Sequence, residues 1–308
     1  MERVAVIGPG AIGSLFAARL ARAGVEVSLL DHRAERAAQL RASGIAVRGV
    51  DGDYKVELPV AIDAREVGVV DLVLVSVKAY NTEAALRQHL ALVGPDSVVW
   101  SLQNGLGNVE AMGRVVAPAQ VLGGSTTIGA NLMGPGRVHH AGEGEVILGE
   151  LDGSRSQRAE QLAHLLGRAG FEVLISDDIQ RVIWNKLLVN VGINALTALL
   201  WVRNGVLAEH QSARALMGAA VAEAVAAAAG QGLEFDRDSV QARVEQVARR
   251  TANNRSSMLA DMQHKRRTEI DFLNGAIARL TEAPVNRTLT QLIHALEATT
   301  AQRQPIDG

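Results

Sequence analysis

Val4-Ala5-Val6-Ile7-Gly8-Pro9-Gly10-Ala11-Ile12-Gly13 is the stretch whose reading decides the fold. Residues 3–8 form a short apolar run suited to a buried strand, and Ala11 to Ala23 form an apolar helix with Arg19 and Arg22 turned outward. Between them stands the glycine pattern of a strand–turn–helix phosphate loop. Gly8 permits the tight turn, Gly10 lets the backbone approach a pyrophosphate, and Gly13 lets the helix pack on the strand. The helix start then offers unpaired N–H groups to phosphate oxygens. Pro9, Ala11 and Ile12 complete the loop, which marks a site for a dinucleotide.

Outward from the loop, Val25 to Leu30 is a second apolar strand ending on Asp31, eighteen residues beyond Gly13. A carboxylate there hydrogen-bonds the ribose hydroxyls of NAD and repels the additional phosphate of NADP. His32 and Arg33 follow at once, and either can embrace that phosphate instead. The two signals point in opposite directions, so the residues alone leave NAD and NADP both open.

The alternation continues with a helix at about 34–42 and a hairpin of 45–48 with 54–58 around Asp51-Gly52. Strand 72–76, helix 81–92, strand 97–100 and helix 109–116 follow. Then come 120–129, two strand-like pieces near Val138 and 146–148, helix 157–169 and strand 172–175. Strands alternating with helices of this length specify parallel crossovers and a doubly wound sheet. Past Ser176 long helical stretches take over, at 179–200, 213–229, 239–249, 268–280 and 288–298. The expected fold class is α/β, an N-terminal Rossmann domain over 1–176 followed by an all-helical domain over 177–308. The cleft between the two is the expected active site.

Composition narrows the function classes. The 308 residues carry 31 basic and 33 acidic side chains, a net charge of -2, with no basic stripe, so nucleic acid is not an expected partner. Cysteine is absent, which excludes disulfides and cysteine-ligated zinc. His139 and His140 are adjacent on a strand and point to opposite faces, so no metal site is expected. No apolar run reads as long enough to cross a bilayer, and Glu223 interrupts the alanine-rich 213–229. No signal peptide precedes Val4, so the expected compartment is the cytoplasm. Only Lys55, Lys78, Lys186 and Lys265 are lysine, against twenty-seven arginines. A position that stays lysine under such a bias can need what arginine lacks, a compact ammonium whose pKa can be moved.

Lys186, Asn190, Asn194 and Thr197 recur at spacings of four, four and three, and so share one face of the 179–200 helix. A lysine and two asparagines on an otherwise apolar helix read as a ligand-facing wall. Asn254-Arg255-Ser256-Ser257-Met258 and Thr268-Glu269-Ile270-Asp271 add hydroxyl, amide and carboxylate groups. Hydride addition to a ketone puts negative charge on oxygen, which calls for a nearby cation able to release a proton. A desolvated lysine can do this; arginine holds its proton.

Together with the glycine loop, Val77-Lys78-Ala79-Tyr80, Gln103-Asn104-Gly105, Trp184 to Ala198, Asn204-Gly205, Ser256-Ser257-Met258 with Asp261, and Thr268-Glu269-Ile270-Asp271 stand in the order and spacing of a known family. Over nearly its whole length the chain resembles ketopantoate reductase, the 2-dehydropantoate 2-reductases. The resemblance implies reduction of the C2 ketone of ketopantoate by NADPH to give pantoate, a pantothenate precursor, in a homodimer. It implies that Lys186 is the general acid and that Asn190, Asn194, Asn204 and Ser257 hold the substrate's carboxylate and hydroxyl groups. Lys78 and Asn104 are implied near the nicotinamide and its ribose, Asn104 also near substrate. Glu269 is implied to orient cofactor and substrate, and Ala130 to lie beside the cofactor.

This sequence departs from the family at two places. Asp31-His32-Arg33 stands where the family usually places an arginine, and only Ala276 to Ala283 separate Asn274-Gly275 from Pro284. The shorter segment implies different helix packing near the cleft and admits a different 2-oxo acid. Besides that alternative, a dinucleotide-binding redox sensor without turnover is a reading from another class. Lys186, Asn190, Asn194 and Glu269 argue against the sensor, which needs none of them.

Overall fold

Alternate residues of the same strand feed two different cores, and that alternation organises the first half of the molecule. The computed structural model describes residues 1–300. Its elements begin β1 (Arg3–Ile7), α1 (Ala11–Arg22), β2 (Glu26–Leu30), α2 (Ala34–Ser43), β3 (Ile45–Gly49), β4 (Tyr54–Val56), β5 (Val60–Ala61) and β6 (Val70–Val75). They continue α3 (Thr82–Gln88), β7 (Val93–Ser101), α4 (Asn108–Gly113), β8 (Val121–Thr126), β9 (Gly129–Gly134), β10 (Arg137–Gly142), β11 (Glu145–Gly149), α5 (Gln157–Arg168) and β12 (Glu172–Ile175).

Val4 and Val6 of β1, Leu72 and Leu74 of β6, and Val98 and Trp100 of β7 join one buried cluster with α1 and α5. Ala5, Ile7, Val73, Val75 and Val99 join a second cluster that includes Leu86 and Met112. Side chains on a strand point alternately to the two faces, so both faces are covered and the strands read as continuous apolar runs. Each fully buried valine or leucine contributes roughly 1.5–3 kcal/mol. The sheet has eight strands in the order β12-β11-β8-β7-β6-β1-β2-β5, parallel except where β11 meets β8. The chain leaves β1 for β2 on one side and returns to β6 on the other. The crevice beyond the end of β1 is therefore the switch point where ligands bind in such sheets.

The hairpin of β3 and β4 forms as the sequence indicates, with Ile45 opposite Val56. It belongs to a separate four-stranded sheet, β4-β3-β10-β9, because β3 pairs in parallel with β10. The expected helix 81–92 is shorter, α3 being flanked by single 3₁₀ turns at Ala79–Asn81 and Leu90–Leu92.

The second half runs α6 (Ile179–Leu200), α7 (Asn204–Glu209), α8 (Gln211–Ala229), α9 (Arg237–Arg250), α10 (Ser257–Gln263), α11 (Asn274–Leu280) and α12 (Pro284–Thr300). The expected helix 268–280 is broken: a 3₁₀ turn, Ile270–Phe272, precedes α11, and Leu273 between them has φ −109° and ψ −103°. The short Ala276–Ala283 segment holds the rest of α11 and a turn into Pro284. Gly192 lets α6 meet α8 and α9, since a Cβ there would lie 2.8 Å from Val244 and 2.9 Å from Val221.

Chain contacts divide the molecule within the first turn of α6: one compact unit holds Met1–Gln103 and Gly107–Val182, the other Asn104–Leu106 and the chain from Ile183 onward. The expected boundary after 176 thus falls six residues early. Residues 104–106 join the helical unit because Leu106 N–H donates to the Phe272 carbonyl at 3.0 Å. Residues 301–308 of the expected helical domain lie outside the described residues. The expectation that no apolar run could span a bilayer is also corrected: α6 and α8 are long and apolar enough, each with mean hydropathy 1.3. Their apolar residues, among them Leu187, Leu188, Val191, Met217 and Val221, form the core of the helical unit.

Candidate functional site

The three loop glycines differ in what a side chain would meet. Gly8 has φ +99°, and a Cβ there would lie 2.7 Å from Val77 Cγ1. At Gly13 a Cβ would lie 2.4 Å from the Gly8 carbonyl oxygen and 2.8 Å from Ser76 Oγ, so helix and strand ends meet too closely for any side chain. Gly10 is different: its nearest atom would be the Ser76 oxygen at 3.6 Å, an ordinary contact, and its φ of −75° suits any residue. Nothing in the protein requires glycine there. The open approach suits a phosphate, and Gly10 caps α1 with no side-chain hydrogen bond and no acidic residue in the first turn.

At the end of β2, Asp31 has a partner that its immediate sequence neighbours do not supply. Its side chain is fully enclosed and forms an ion pair with Arg36 through both carboxylate oxygens, 2.7 Å from Arg36 Nη2 to Oδ1. Oδ1 also accepts from the Arg33 backbone N–H at 3.1 Å. Both carboxylate oxygens are thereby engaged, and the guanidinium balances their charge. Arg36 was not read from the sequence as part of the site. His32 and Arg33 are exposed beside it, so what this corner presents is basic.

The turn carrying Lys78 is braced from below. Gln103 Nε2 donates to the Val77 carbonyl at 2.6 Å and to Thr82 Oγ1 at 2.8 Å, while its Oε1 accepts from Ser101 Oγ at 2.8 Å. The backbone on both sides of Lys78 is thereby fixed. Sequence reading missed this role, although an amide directly after a buried strand is the kind of signal that shows it. Ala130 lies on β9, opposite His140, packed against the cluster that contains α1.

In the helical unit, Lys186 and Asn190 are partly buried on α6, and Asn194 is buried. Burial pushes the Lys186 ammonium down to about 8 from 10.5, and the Glu269 carboxylate opposes that shift. Glu269, itself buried, stands before the 3₁₀ turn and accepts the Phe272 N–H at 3.0 Å through its carbonyl. Because Leu106 bonds the same turn at Phe272, Asn104 is carried to the Glu269 segment.

Thr197 does not belong to the ligand-facing stripe: its hydroxyl lies 2.9 Å from the Ile193 carbonyl and 2.7 Å from Ser256 Oγ. Ser256 is the buried cap of α10, its Oγ accepting from Leu259 N–H at 3.1 Å. The pair holds the start of α10 beside α6, one turn from Asn194, and leaves the next residue, Ser257, exposed. Asn204 is buried, and its Nδ2 donates to Thr251 Oγ1 at 2.9 Å. Thr251 spends its own proton on the Val247 carbonyl at 2.7 Å, so the amide orientation of Asn204 is fixed. Its Oδ1 is left as a buried acceptor without a partner. Among the described residues no group of three or more His, Asp or Glu side chains is placed to hold a metal ion.

Residues 4–153 match the family described as ketopantoate reductase PanE/ApbA, and residues 178–297 match its C-terminal part. The 2-dehydropantoate 2-reductase of Halobacterium salinarum is 40% identical over 297 residues, covering 94% of this chain and 97% of the relative. The chain belongs to the ketopantoate reductase family. The Archaeoglobus fulgidus 2-dehydropantoate 2-reductase is likewise 40% identical, over 97% of this chain and 99% of its own. Among solved structures, a ketopantoate reductase from Ralstonia eutropha superposes with a TM-score of 0.89 at 30% identity, covering 97% of this chain and 99% of its own. D-mandelate dehydrogenase with NADH and anilino(oxo)acetate reaches 0.92 at 31% identity with the same coverage.

Proposed function

We propose that this chain reduces 2-dehydropantoate to pantoate with NADPH, Lys186 giving the proton, as a cytoplasmic homodimer in pantothenate synthesis. The observation that carries the reading is Lys186: a lysine held at about 8 by burial, beside Glu269, on a helix face with Asn190 and Asn194. At neutral pH it is charged enough to attract the developing alkoxide and acidic enough to protonate it. Gly8–Gly13 would hold the pyrophosphate of a reduced nicotinamide dinucleotide, with Lys78, Asn104 and Ala130 alongside, and the bound cofactor would supply the hydride. Lys186 Nζ passes a proton to the former ketone oxygen while Glu269 keeps the ammonium oriented. Asn190, Asn194 and Ser257 grip the carboxylate. Asn204 is assigned the substrate hydroxyl by its place in the family's motif.

The enclosed Asp31–Arg36 pair supports NADPH over NADH, because the exposed groups left at that corner, His32 and Arg33, attract a 2′-phosphate. The similarity to D-mandelate dehydrogenase supports a second reading, the same apparatus acting on an aryl 2-oxo acid. The 40% identity to two 2-dehydropantoate 2-reductases, against 31% to D-mandelate dehydrogenase, favours the first reading. Steady-state oxidation of NADPH and NADH with a panel of 2-oxo acids separates the readings. Ketopantoate with NADPH is expected to give the highest kcat/KM. A preference for benzoylformate would favour the second reading, and cofactor binding without turnover of any 2-oxo acid would favour a sensor.

A further inference from the structure

Beneath α6 lies a chain of buried amides that the proposed chemistry does not use. Asn274 and Asn286 have no exposed surface. Asn274 Nδ2 donates to the Val191 carbonyl at 3.1 Å and to Asn286 Oδ1 at 2.9 Å. Asn286 Nδ2 donates to the Ala220 carbonyl at 3.0 Å and to Glu223 Oε2 at 2.7 Å. Glu223 also accepts the backbone N–H groups of Val285 and Asn286, each at 2.9 Å. Pro284 opens α12 without an N–H, so the carboxylate takes the first two donors that helix has, where its charge also meets the positive end of the helix dipole.

The direction of every bond follows from its ends. Val191 and Ala220 offer carbonyl oxygens and Glu223 a carboxylate, none with a proton to give. Each asparagine must therefore turn its nitrogen toward them. The arrangement is costly to the fold, because Asn274 Oδ1 is left buried with no partner. An unpaired buried acceptor costs roughly 1–3 kcal/mol, and apolar side chains of similar volume commonly fill such space at no loss. Stability alone does not account for an amide here. Its geometry does: Val191 adjoins Asn190 and lies five residues past Lys186, while Asn274 lies five residues past Glu269.

We propose that Asn274 is a positioning residue, which through the Val191 carbonyl fixes the Lys186 helix against the segment carrying Glu269, with Asn286 and Glu223 holding its amide in the required orientation. The proposal rests on the reading of Lys186 as proton donor. A test that needs no substrate uses the scarcity of lysine. With only four lysines, lysine-labelled protein gives few side-chain signals in NMR, and Lys186→Arg identifies that of Lys186. In Asn274→Ala the Lys186 titration midpoint should move by about half a pH unit or more. kcat for the best 2-oxo acid should fall roughly ten- to a hundredfold, with NADPH affinity unchanged. Glu223→Gln, which keeps the shape of the network, should give a smaller change of the same sign and serves if Asn274→Ala does not fold. A lowered Tm with the midpoint and kcat of the parent would reduce the network to a structural role and overturn the proposal. A parent that turns over no 2-oxo acid would instead sink the functional reading, leaving the lysine midpoint to decide the positioning.

Discussion

Replacing Gly10 and Gly13 by alanine, one at a time, separates the ligand's demand on the phosphate loop from the fold's demand. At Gly13 the new methyl would stand 2.4 Å from a backbone oxygen that cannot swing away, so α1 and the loop must move apart. Overpacking of that kind costs roughly 1–3 kcal/mol, which lowers Tm by about 2–5 °C in a chain of this size. At Gly10 the methyl meets nothing closer than 3.6 Å, and the backbone already suits alanine. The slight loss of capping preference is offset by a less flexible unfolded chain, so stability should change by less than about 1 kcal/mol. The methyl instead occupies the approach of the pyrophosphate. Losing one or two charge-assisted hydrogen bonds from the α1 N–H groups costs roughly 2–4 kcal/mol, or about thirty- to several-hundredfold in affinity. Fluorescence titration with NADPH and thermal unfolding of the same samples give both numbers, and Gly10→Asp, which adds charge, should abolish the titration. A Gly10→Ala protein that binds NADPH like the parent would refute the placement of the phosphate. One that unfolds like Gly13→Ala would refute the spatial argument.

The corner at Asp31 predicts that Arg33→Ala lowers kcat/KM for NADPH roughly tenfold and leaves that for NADH nearly unchanged; an unaltered cofactor ratio would remove Arg33 from the phosphate site. Lys186 carries a stability prediction of opposite sign to its catalytic one. Its depressed pKa means that keeping the folded lysine charged at pH 7 costs about 3 kcal/mol, a cost present below about 8 and relieved as pH rises toward 10.5, the ordinary lysine value. Lys186→Met should therefore raise Tm at pH 7, with a gain that shrinks by pH 10, while turnover is lost. A destabilised Lys186→Met protein at pH 7 would show that the ammonium is not held against its solvation.

Local pattern carried the parts of the fold that sit on one element. The β1–loop–α1–β2 unit could be read because apolar runs, glycine spacing and the acidic end of β2 all fall within thirty residues. The polar stripe on α6 could be read because helical periodicity alone puts Lys186, Asn190 and Asn194 on one side. What stayed hidden depends on partners remote in sequence. β5 is two residues long and exists only by pairing with β2, and β3 leaves the main sheet because β10, some ninety residues on, offers it a parallel edge. The break at Leu273 has no proline to announce it. Periodicity also could not say which hydroxyl in a pair is structural. Thr197 and Ser256 bond each other, while Ser257 stays exposed. The pairing of Asp31 also stayed hidden, because it depends on Arg36, in the first turn of the next helix, whose side chain folds back onto it.

The central claim is that Lys186 donates the proton, and the pH profile of kcat for ketopantoate reduction tests it most directly, with Lys186→Arg beside the parent. The acid must carry its proton to act, so the parent should lose activity as pH rises through about 8. Arginine keeps the charge and withholds the proton. The variant should bind ketopantoate, turn over roughly two to four powers of ten more slowly, and show no alkaline limb. A Lys186→Arg enzyme with the parent's rate and the parent's alkaline limb would contradict the account.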